Sequence, residues 1–326
     1  MKAFVCHEFG PLGQHTPGEL PTPVAGPGQV LIRVAAAGVN FYDTLIVQGK
    51  YQLQPPRPFA PGGEVAGVVT AVGEGVTRCA PGDRVMAFTR YGGYAEQALA
   101  DEGMTWPLPA AVSFDTAAAG LITYGTAWFA LQDLAALKPG ETVLVLGAAG
   151  GVGLAALQIA KRAGARVIAA AGSEERLDLC RQHGADDTID YAREDLKLAT
   201  KTLTGGRGAD VVVDVVGGDF TEQAVRAIAW RGRLLVIGFA AGAIPKIPAN
   251  LLLLKGAVVA GVFWDEMLRR EPDTGRRHIN AITAAWADGS LAPPISARLP
   301  LARAAEALDA LAGRRSAGKL IIEPGA

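Results

Sequence analysis

Apolar positions along the chain fall into two textures. From Met1 to about Ala111 they form short runs, Phe4–Cys6, Val30–Ala36, Glu64–Val72 and Arg84–Phe88, between Pro/Gly-rich stretches at Pro11–Pro23, Gln54–Gly63 and Cys79–Asp83. Such runs predict strands, and with no helical spacing between most of them they predict an antiparallel, barrel-like domain. Asn40 to Gln48, apolar at Phe41, Leu45 and Ile46, predicts a short helix. From about Leu121 to Val262 the pattern alternates. Strands are expected at Thr142–Gly147, Arg166–Ala171, Asp187–Ile189, Asp210–Val215, Leu234–Ile237 and Ala257–Val262. Helices are expected at Leu154–Arg162, Glu174–Gln182, Glu194–Leu203 and Phe220–Ile228. Near-continuous apolar strands alternating with helices predict a parallel sheet covered on both faces. Six of them, with a glycine-rich turn after the first, form the doubly wound α/β layout that binds dinucleotides. Beyond Phe263 come amphipathic helices around Arg276–Trp286 and Ala302–Leu311 and an apolar strand, Lys319–Ile322. This stretch is too short for a domain and is expected to rejoin the first. The expected division is 1–120 plus 263–326, β-rich, and 121–262, dinucleotide-binding.

Composition narrows the functional classes. Of 326 residues, 50% are hydrophobic and 19% charged, which excludes global disorder. Lys plus Arg (31) nearly balance Asp plus Glu (32), and no long basic run occurs, which argues against a dedicated nucleic-acid or membrane-surface protein. No apolar stretch is long enough to span a bilayer. The opening MKAFVCHEFG lacks the pattern of a secretory signal. A soluble, cytoplasmic protein is expected. Cys6, Cys79 and Cys180 are too dispersed for a disulfide framework or a CxxC metal site and read as small buried hydrophobes. The 41 glycines are scattered as punctuation between elements.

One glycine-rich segment carries chemistry. The strand Thr142–Leu146 runs into Gly147-Ala148-Ala149-Gly150-Gly151-Val152-Gly153 and then an apolar helix. Small residues there let backbone N–H groups and the helix N-terminus approach a pyrophosphate. The turn is not a literal GxGxxG, but its place between strand and helix supplies the required context. Twenty residues past Gly153, where an NAD enzyme usually offers an acidic residue to the ribose, the chain reads Gly172-Ser173-Glu174-Glu175-Arg176. Ser173 can bond a phosphate oxygen and Arg176 can neutralise one, which favours NADPH. Glu174 and Glu175 oppose this, yet in a first helical turn they are also ordinary dipole partners.

With this turn stand further motifs: Ala37-Gly38-Val39-Asn40-Phe41-Tyr42-Asp43, Gln48-Gly49-Lys50-Tyr51, Pro61-Gly62-Gly63-Glu64-Val65-Ala66-Gly67, Pro81-Gly82-Asp83-Arg84-Val85, Tyr91-Gly92-Gly93-Tyr94-Ala95-Glu96, Thr123-Tyr124-Gly125-Thr126-Ala127, Val213-Asp214-Val215-Val216-Gly217 and Gly318-Lys319. In this order they resemble the zinc-free, ζ-crystallin-like quinone oxidoreductases of the medium-chain dehydrogenase/reductase superfamily, over essentially the whole chain. The resemblance implies a GroES-like fold for the β-rich domain. It also implies that zinc-dependent relatives place Cys where this chain has Asn40 and His where it has Gly63. A catalytic zinc needs three His, Cys or carboxylate ligands, and no bound metal is expected. The four histidines (His7, His15, His183, His278) lie outside these motifs and are expected at the surface.

Without a Lewis acid, alcohol deprotonation at neutral pH is hard, whereas hydride addition to a quinone or enone is not. By position, the resemblance implies Asn40 and Tyr51 as polar groups on the substrate side. Tyr51 is the candidate proton donor or oxyanion partner; its competing role is an aromatic wall for a flat substrate. Some relatives have a further tyrosine where this chain has Leu45, which counts against a multi-tyrosine mechanism here. Phe41, Asp43 and Thr126 are implied as neighbours of the nicotinamide, and Gly150, Gly151 and Val152 as the pyrophosphate turn. Gly172, Ser173, Arg176 and Tyr191 are implied around the adenosine phosphate, with Arg314 joining them in preference to Arg315. Val216, Gly238, Phe239, Phe263 and Trp264 fall at or after the ends of later strands, where open α/β sheets bind ligands; for Phe239 and Phe263 plain core packing competes. An acrylyl- or enoyl-CoA reductase is the alternative enzyme, and an RNA-binding or structural ζ-crystallin-like protein the alternative of another class. A homodimer is expected through the apolar last strand of the cofactor domain, Lys255–Val262, an association-prone edge.

Overall fold

The structure, a computed structural model, describes residues Met1–Gly325. Its strands are β1 (Lys2–Val5), β2 (Thr16–Glu19), β3 (Gln29–Gly38), β4 (Glu64–Val72), β5 (Arg84–Phe88), β6 (Gln97–Asp101), β7 (Thr105–Pro107), β8 (Thr142–Leu146), β9 (Arg166–Ala171), β10 (Asp187–Asp190), β11 (Ala209–Asp214), β12 (Ile228–Val236), β13 (Val258–Gly261), β14 (Ile295–Pro300) and β15 (Lys319–Glu323). Its α-helices are α1 (Phe41–Ile46), α2 (Phe114–Trp128), α3 (Gly151–Arg162), α4 (Glu174–Gln182), α5 (Leu196–Leu203), α6 (Asp219–Ala227), α7 (Ala249–Lys255), α8 (Trp264–Arg270), α9 (Pro272–Ala287) and α10 (Ala304–Ala312). Contacts divide the chain into two compact units, Met1–Ile122 with Pro272 onward, and Thr123–Glu271. The segment 263–271, expected with the β-rich domain, instead folds with the second unit, because Trp264, Met267 and Leu268 bury one face of α8.

The second unit holds a six-stranded parallel sheet in the order β10-β9-β8-β11-β12-β13. Its strands are apolar on both faces: all five residues of β8 and five of six in β9 are buried, as helices on both faces of a parallel sheet require. Strand order reverses between β8 and β11, and ligands of such sheets bind outside the carboxyl ends of the strands at that point.

In the first unit, β14-β15-β3-β4-β5-β7 form one sheet with β6 also paired to β3. All pairs are antiparallel except β14 with β15. The C-terminal return enters the sheet directly, β15 lying between β14 and β3. Phe4, Ile32, Val65, Val85, Leu308 and Ile322 share its main core. Three cysteines are buried as expected, and burial pushes the thiols of Cys6 and Cys180 up to about 11 and about 12. The histidines differ from expectation, since His15 and His278 are buried. His278 belongs to the inward stripe of α9 with Ile279, Ile282 and Trp286, so helical spacing carries it inside. Among the described residues, no helix is long and apolar enough to cross a membrane.

Candidate active site

The carboxyl edge of the parallel sheet gathers the expected cofactor residues of the second unit. After β8, Gly147 turns the chain with φ of 64°, and Gly150 is the N-cap of α3. A Cβ on Gly153 would meet the Gly147 carbonyl oxygen at 2.4 Å and the Ala148 Cα at 2.7 Å. Glycine at 153 is therefore what lets helix and turn close together. The opening N–H groups of a helix have no intrahelical partner. Here no side chain caps them and the first turn carries no acidic residue, while Lys161 and Arg162 occupy the last turn. This end of α3 suits an anion such as a pyrophosphate, and the expected contacts Gly150, Gly151 and Val152 lie on it.

Beside it, Gly172 and Ser173 follow β9. Ser173 is the N-cap of α4, yet its side chain makes no capping bond. Glu174 pairs with Arg181 along the helix, their N–O distance 2.6 Å, which engages one of the two carboxylates that opposed a phosphate. Arg176 is half-buried in the first turn of α4. Tyr191, after β10, packs at a tilt against Phe220 with ring centroids 4.6 Å apart. After β11, the buried Asp214 carboxylate accepts the N–H groups of Val216 and Gly217 at 2.9 Å each, and the Thr221 hydroxyl. It folds the turn that carries Val216. Gly238 and the exposed Phe239 follow β12, and the half-exposed Phe263 follows β13. Trp264 is buried, its indole tight against Gly125 of α2, next to the buried Thr126. Phe263 and Phe239 are exposed and so are not core packing.

In the first unit, the expected residues cluster around α1. Asn40 precedes the helix, and its backbone N–H donates to Asp43 Oδ2 at 2.8 Å. Tyr94 donates its hydroxyl to the same oxygen at 3.0 Å. Asp43 is completely buried, and its Oδ1 has no hydrogen-bond partner among the described residues. Burial pushes its carboxyl up from the usual 3.8 to about 7, against the lowering effects of these hydrogen bonds and of Lys319. Asn40 Nδ2 donates to Glu64 Oε2 at 2.7 Å, and Lys319 Nζ donates to Asn40 Oδ1 at 2.8 Å and to Glu64 Oε2 at 3.0 Å. Phe41 is the half-buried first residue of α1. Tyr51 is half-buried, its ring 5.4 Å from that of Tyr42. Arg314 is exposed, in the left-handed conformation (φ 53°) that follows α10.

Sequence reasoning did not assign roles to Tyr42, Tyr94, Asp214 or Lys319. Each lies inside a motif quoted above, but partners as distant as 255 residues, for Lys319 and Glu64, leave no local signal. Tyr42 had one: Gly63, without a side chain, leaves a space that a neighbour must fill. A Cβ at Gly63 would lie 1.5 Å from the Tyr42 hydroxyl oxygen.

Comparison with known proteins agrees with this architecture. Residues 26–110 match the alcohol dehydrogenase GroES-like domain and residues 151–276 the zinc-binding dehydrogenase family. The chain is 40% identical over 325 residues to a quinone oxidoreductase-like protein 2 homolog of Nematostella vectensis, covering 98% of this chain and 88% of the relative. It superposes on Escherichia coli quinone oxidoreductase complexed with NADPH with a TM-score of 0.94 at 29% identity, covering 99% of this chain and 100% of that one. An NAD-dependent alcohol dehydrogenase gives a TM-score of 0.89 at 33% identity, with 99% of each chain covered. The fold is thus that of the medium-chain dehydrogenase/reductase oxidoreductases. Within them the chain belongs to the zinc-free quinone oxidoreductase family.

The residues present do not fit the zinc that one of these family descriptions names. Position 63 has no side chain and its space holds the Tyr42 hydroxyl. The Asn40 amide is bound to Lys319 and Glu64, and among the described residues no three His, Cys, Asp or Glu side chains are grouped to hold a metal.

The Asp43 carboxyl makes stability depend on pH. The unfolded chain releases this proton near the ordinary value, the folded chain near 7, so the fold binds the extra proton in between and loses stability as pH rises through that window. An Asp43→Asn variant is expected to gain on the parent between about pH 4 and pH 7 and to keep a constant difference above it. Urea unfolding across this range measures the difference; a flat result would mean that Asp43 is ionised within the fold.

Proposed function

We propose that the chain is an NADPH-dependent reductase that transfers hydride, without zinc, to a quinone or an α,β-unsaturated carbonyl compound. The observation that carries the reaction class is the Tyr42 hydroxyl in the space of any side chain at position 63, beside an Asn40 amide tied to Lys319 and Glu64. This arrangement offers no Lewis acid to an alcohol. A conjugated acceptor takes hydride at carbon and needs only a hydrogen bond and a proton at oxygen. The cofactor, when bound, supplies the hydride. Asn40 and Tyr51 of the first unit are assigned to the acceptor, Tyr51 as proton donor. With NADPH the protein should turn over small quinones or enones readily and ethanol with NADP near background, while elemental analysis finds less than one zinc per chain. Tyr51→Phe is expected to lower turnover about 100-fold if its hydroxyl delivers the proton. A loss of tenfold or less would make Tyr51 a stacking wall with solvent as proton source. Efficient alcohol oxidation with no quinone or enone activity would overturn the reaction class.

The uncapped end of α3 and the non-capping Ser173 support a nicotinamide dinucleotide with a 2′-phosphate, as does the NADPH complex of the E. coli relative. From the second unit the proposal assigns Gly150, Gly151 and Val152 to the pyrophosphate, and Gly172, Ser173, Arg176 and Tyr191 to the adenosine phosphate. Thr126, Val216, Gly238, Phe239 and Phe263 are assigned to the nicotinamide half, with Trp264 as a buried support. From the first unit it assigns Phe41 and Arg314; Asp43, expected beside the nicotinamide, is completely buried and is assigned instead to hold the Asn40 backbone. A charge-assisted hydrogen bond contributes roughly 1.5–3 kcal/mol. Arg176→Ala should therefore weaken NADPH by about one to two powers of ten and NADH little, by fluorescence titration. Equal losses would show that Arg176 does not read the phosphate.

A second copy of the chain is the partner proposed for the β13 edge. β13 is the outermost strand of its sheet, and Trp230 (70% exposed), Leu253 (81%), Leu254 and Val258 form an apolar surface beside it. An unpaired apolar edge of this kind associates unless it is covered. Light scattering at micromolar concentration should give a dimer for the parent and a monomer for Val258→Asp. A parent that is monomeric would remove this assignment.

A further inference from the structure

Lys319 opens β15 and is almost wholly buried, its side chain 4% exposed, beside a Glu64 side chain at 0%. A buried ammonium is costly unless paired and fully hydrogen-bonded. Lys319 meets that condition: its three N–H bonds go to the Val39 carbonyl at 3.0 Å, Asn40 Oδ1 at 2.8 Å and Glu64 Oε2 at 3.0 Å. An ammonium has three donors and no acceptor, so Lys319 keeps no hydrogen for a substrate and cannot itself be the acid of the reaction.

Its effect falls on Asn40. The amide oxygen of Asn40 faces the ammonium, and its nitrogen faces the carboxylate of Glu64, whose other oxygen accepts the Ile122 N–H at 2.9 Å. A flip of the amide would set oxygen against carboxylate and NH2 against ammonium, so the orientation is locked. Of the two hydrogens on Nδ2, one is held by Glu64 at 2.7 Å. The other reaches only the Gly38 carbonyl, at 3.4 Å. Asn40 therefore has one tightly held and one loosely held N–H.

We infer that Lys319 is a positioning residue that acts through Asn40, fixing its amide so that the loosely held Nδ2 hydrogen is offered to the oxygen of the acceptor. The inference rests on the quinone or enone reading above. Removing either charge alone would strand the other in the interior, so the pair is removed together as Glu64→Gln/Lys319→Met, which keeps an apolar stem of similar length at 319. This double variant is compared with the parent, with Asn40→Ala and with the triple variant that combines all three changes. The Glu64→Gln/Lys319→Met double variant and Asn40→Ala should each lower kcat for quinone reduction about tenfold or more, with the Kd for NADPH within about twofold of the parent. The triple variant should be no slower than the Asn40→Ala variant, because one residue acts through the other. A readout independent of turnover is exchange of the Asn40 side-chain amide hydrogens by NMR, slow in the parent and faster in the Glu64→Gln/Lys319→Met variant. Losses that multiply in the triple variant, an unchanged kcat in the double variant or in Asn40→Ala, or amide exchange indifferent to loss of the pair would overturn the inference. If the parent shows no quinone or enone turnover, the functional reading fails, while amide exchange still decides whether Lys319 locks Asn40.

Discussion

A single buried ion pair, Lys319 with Glu64, ties together three segments of the β-rich unit. Glu64 begins β4, Lys319 begins β15, and the Asn40 amide between them stands at the end of the loop from β3 into α1. Three segments far apart in sequence thus meet on two charges that have no access to water. Breaking such a pair from one side leaves an unpaired charge, at a cost of several kcal/mol, so each segment depends on the other two. Asp43 adds a second constraint from behind, holding the Asn40 backbone while Tyr94 holds Asp43. The polar face that this unit offers is therefore built from inside outward: charge first, then amide, then whatever binds.

The second unit is organised by backbone. Its essential positions are small ones: Gly153, where a side chain would separate helix from turn, and Gly150, whose lack of a side chain leaves the end of α3 uncapped. Where a carboxylate does appear, at Asp214, it bonds inward to the turn that bears Val216 and Gly217. The first turn of α3 carries no acidic residue to offset the positive potential of that end.

These two styles account for what was legible in the sequence. The doubly wound unit repeats a local rule, an apolar strand, a turn and an amphipathic helix, and so β9 and α4 fall at the expected residues. Helix α2 was not anticipated, because Phe114–Trp128 is apolar or small nearly all round and shows no periodicity to read. The edge strands β6, β7 and β14 escaped for a related reason: runs of three to six residues with polar members, made into strands by their neighbours. In the site, Asn40, Asp43 and Tyr51 stood out through motif position, while Lys319 and Tyr94 acquire meaning only from what they touch. Tyr42 lay between, since the gap at Gly63 was visible and its occupant was not.

The place of β15 has a consequence for the order in which the molecule is made. It is an inner strand of its sheet, between β14 and β3, and it carries the cation that neutralises Glu64. At about 5–20 residues per second, synthesis takes roughly ten to fifty seconds to cover the 255 residues from Glu64 to Lys319. Throughout that interval the N-terminal segment has an open strand edge on β3 and a carboxylate without its counter-charge. The contiguous unit from Thr123 to Glu271 needs nothing made later and can close meanwhile. β15, translated after every other strand described, thus seals the first unit, and a ribosome that stops short of it releases a finished α/β unit attached to an unfinished β-rich one.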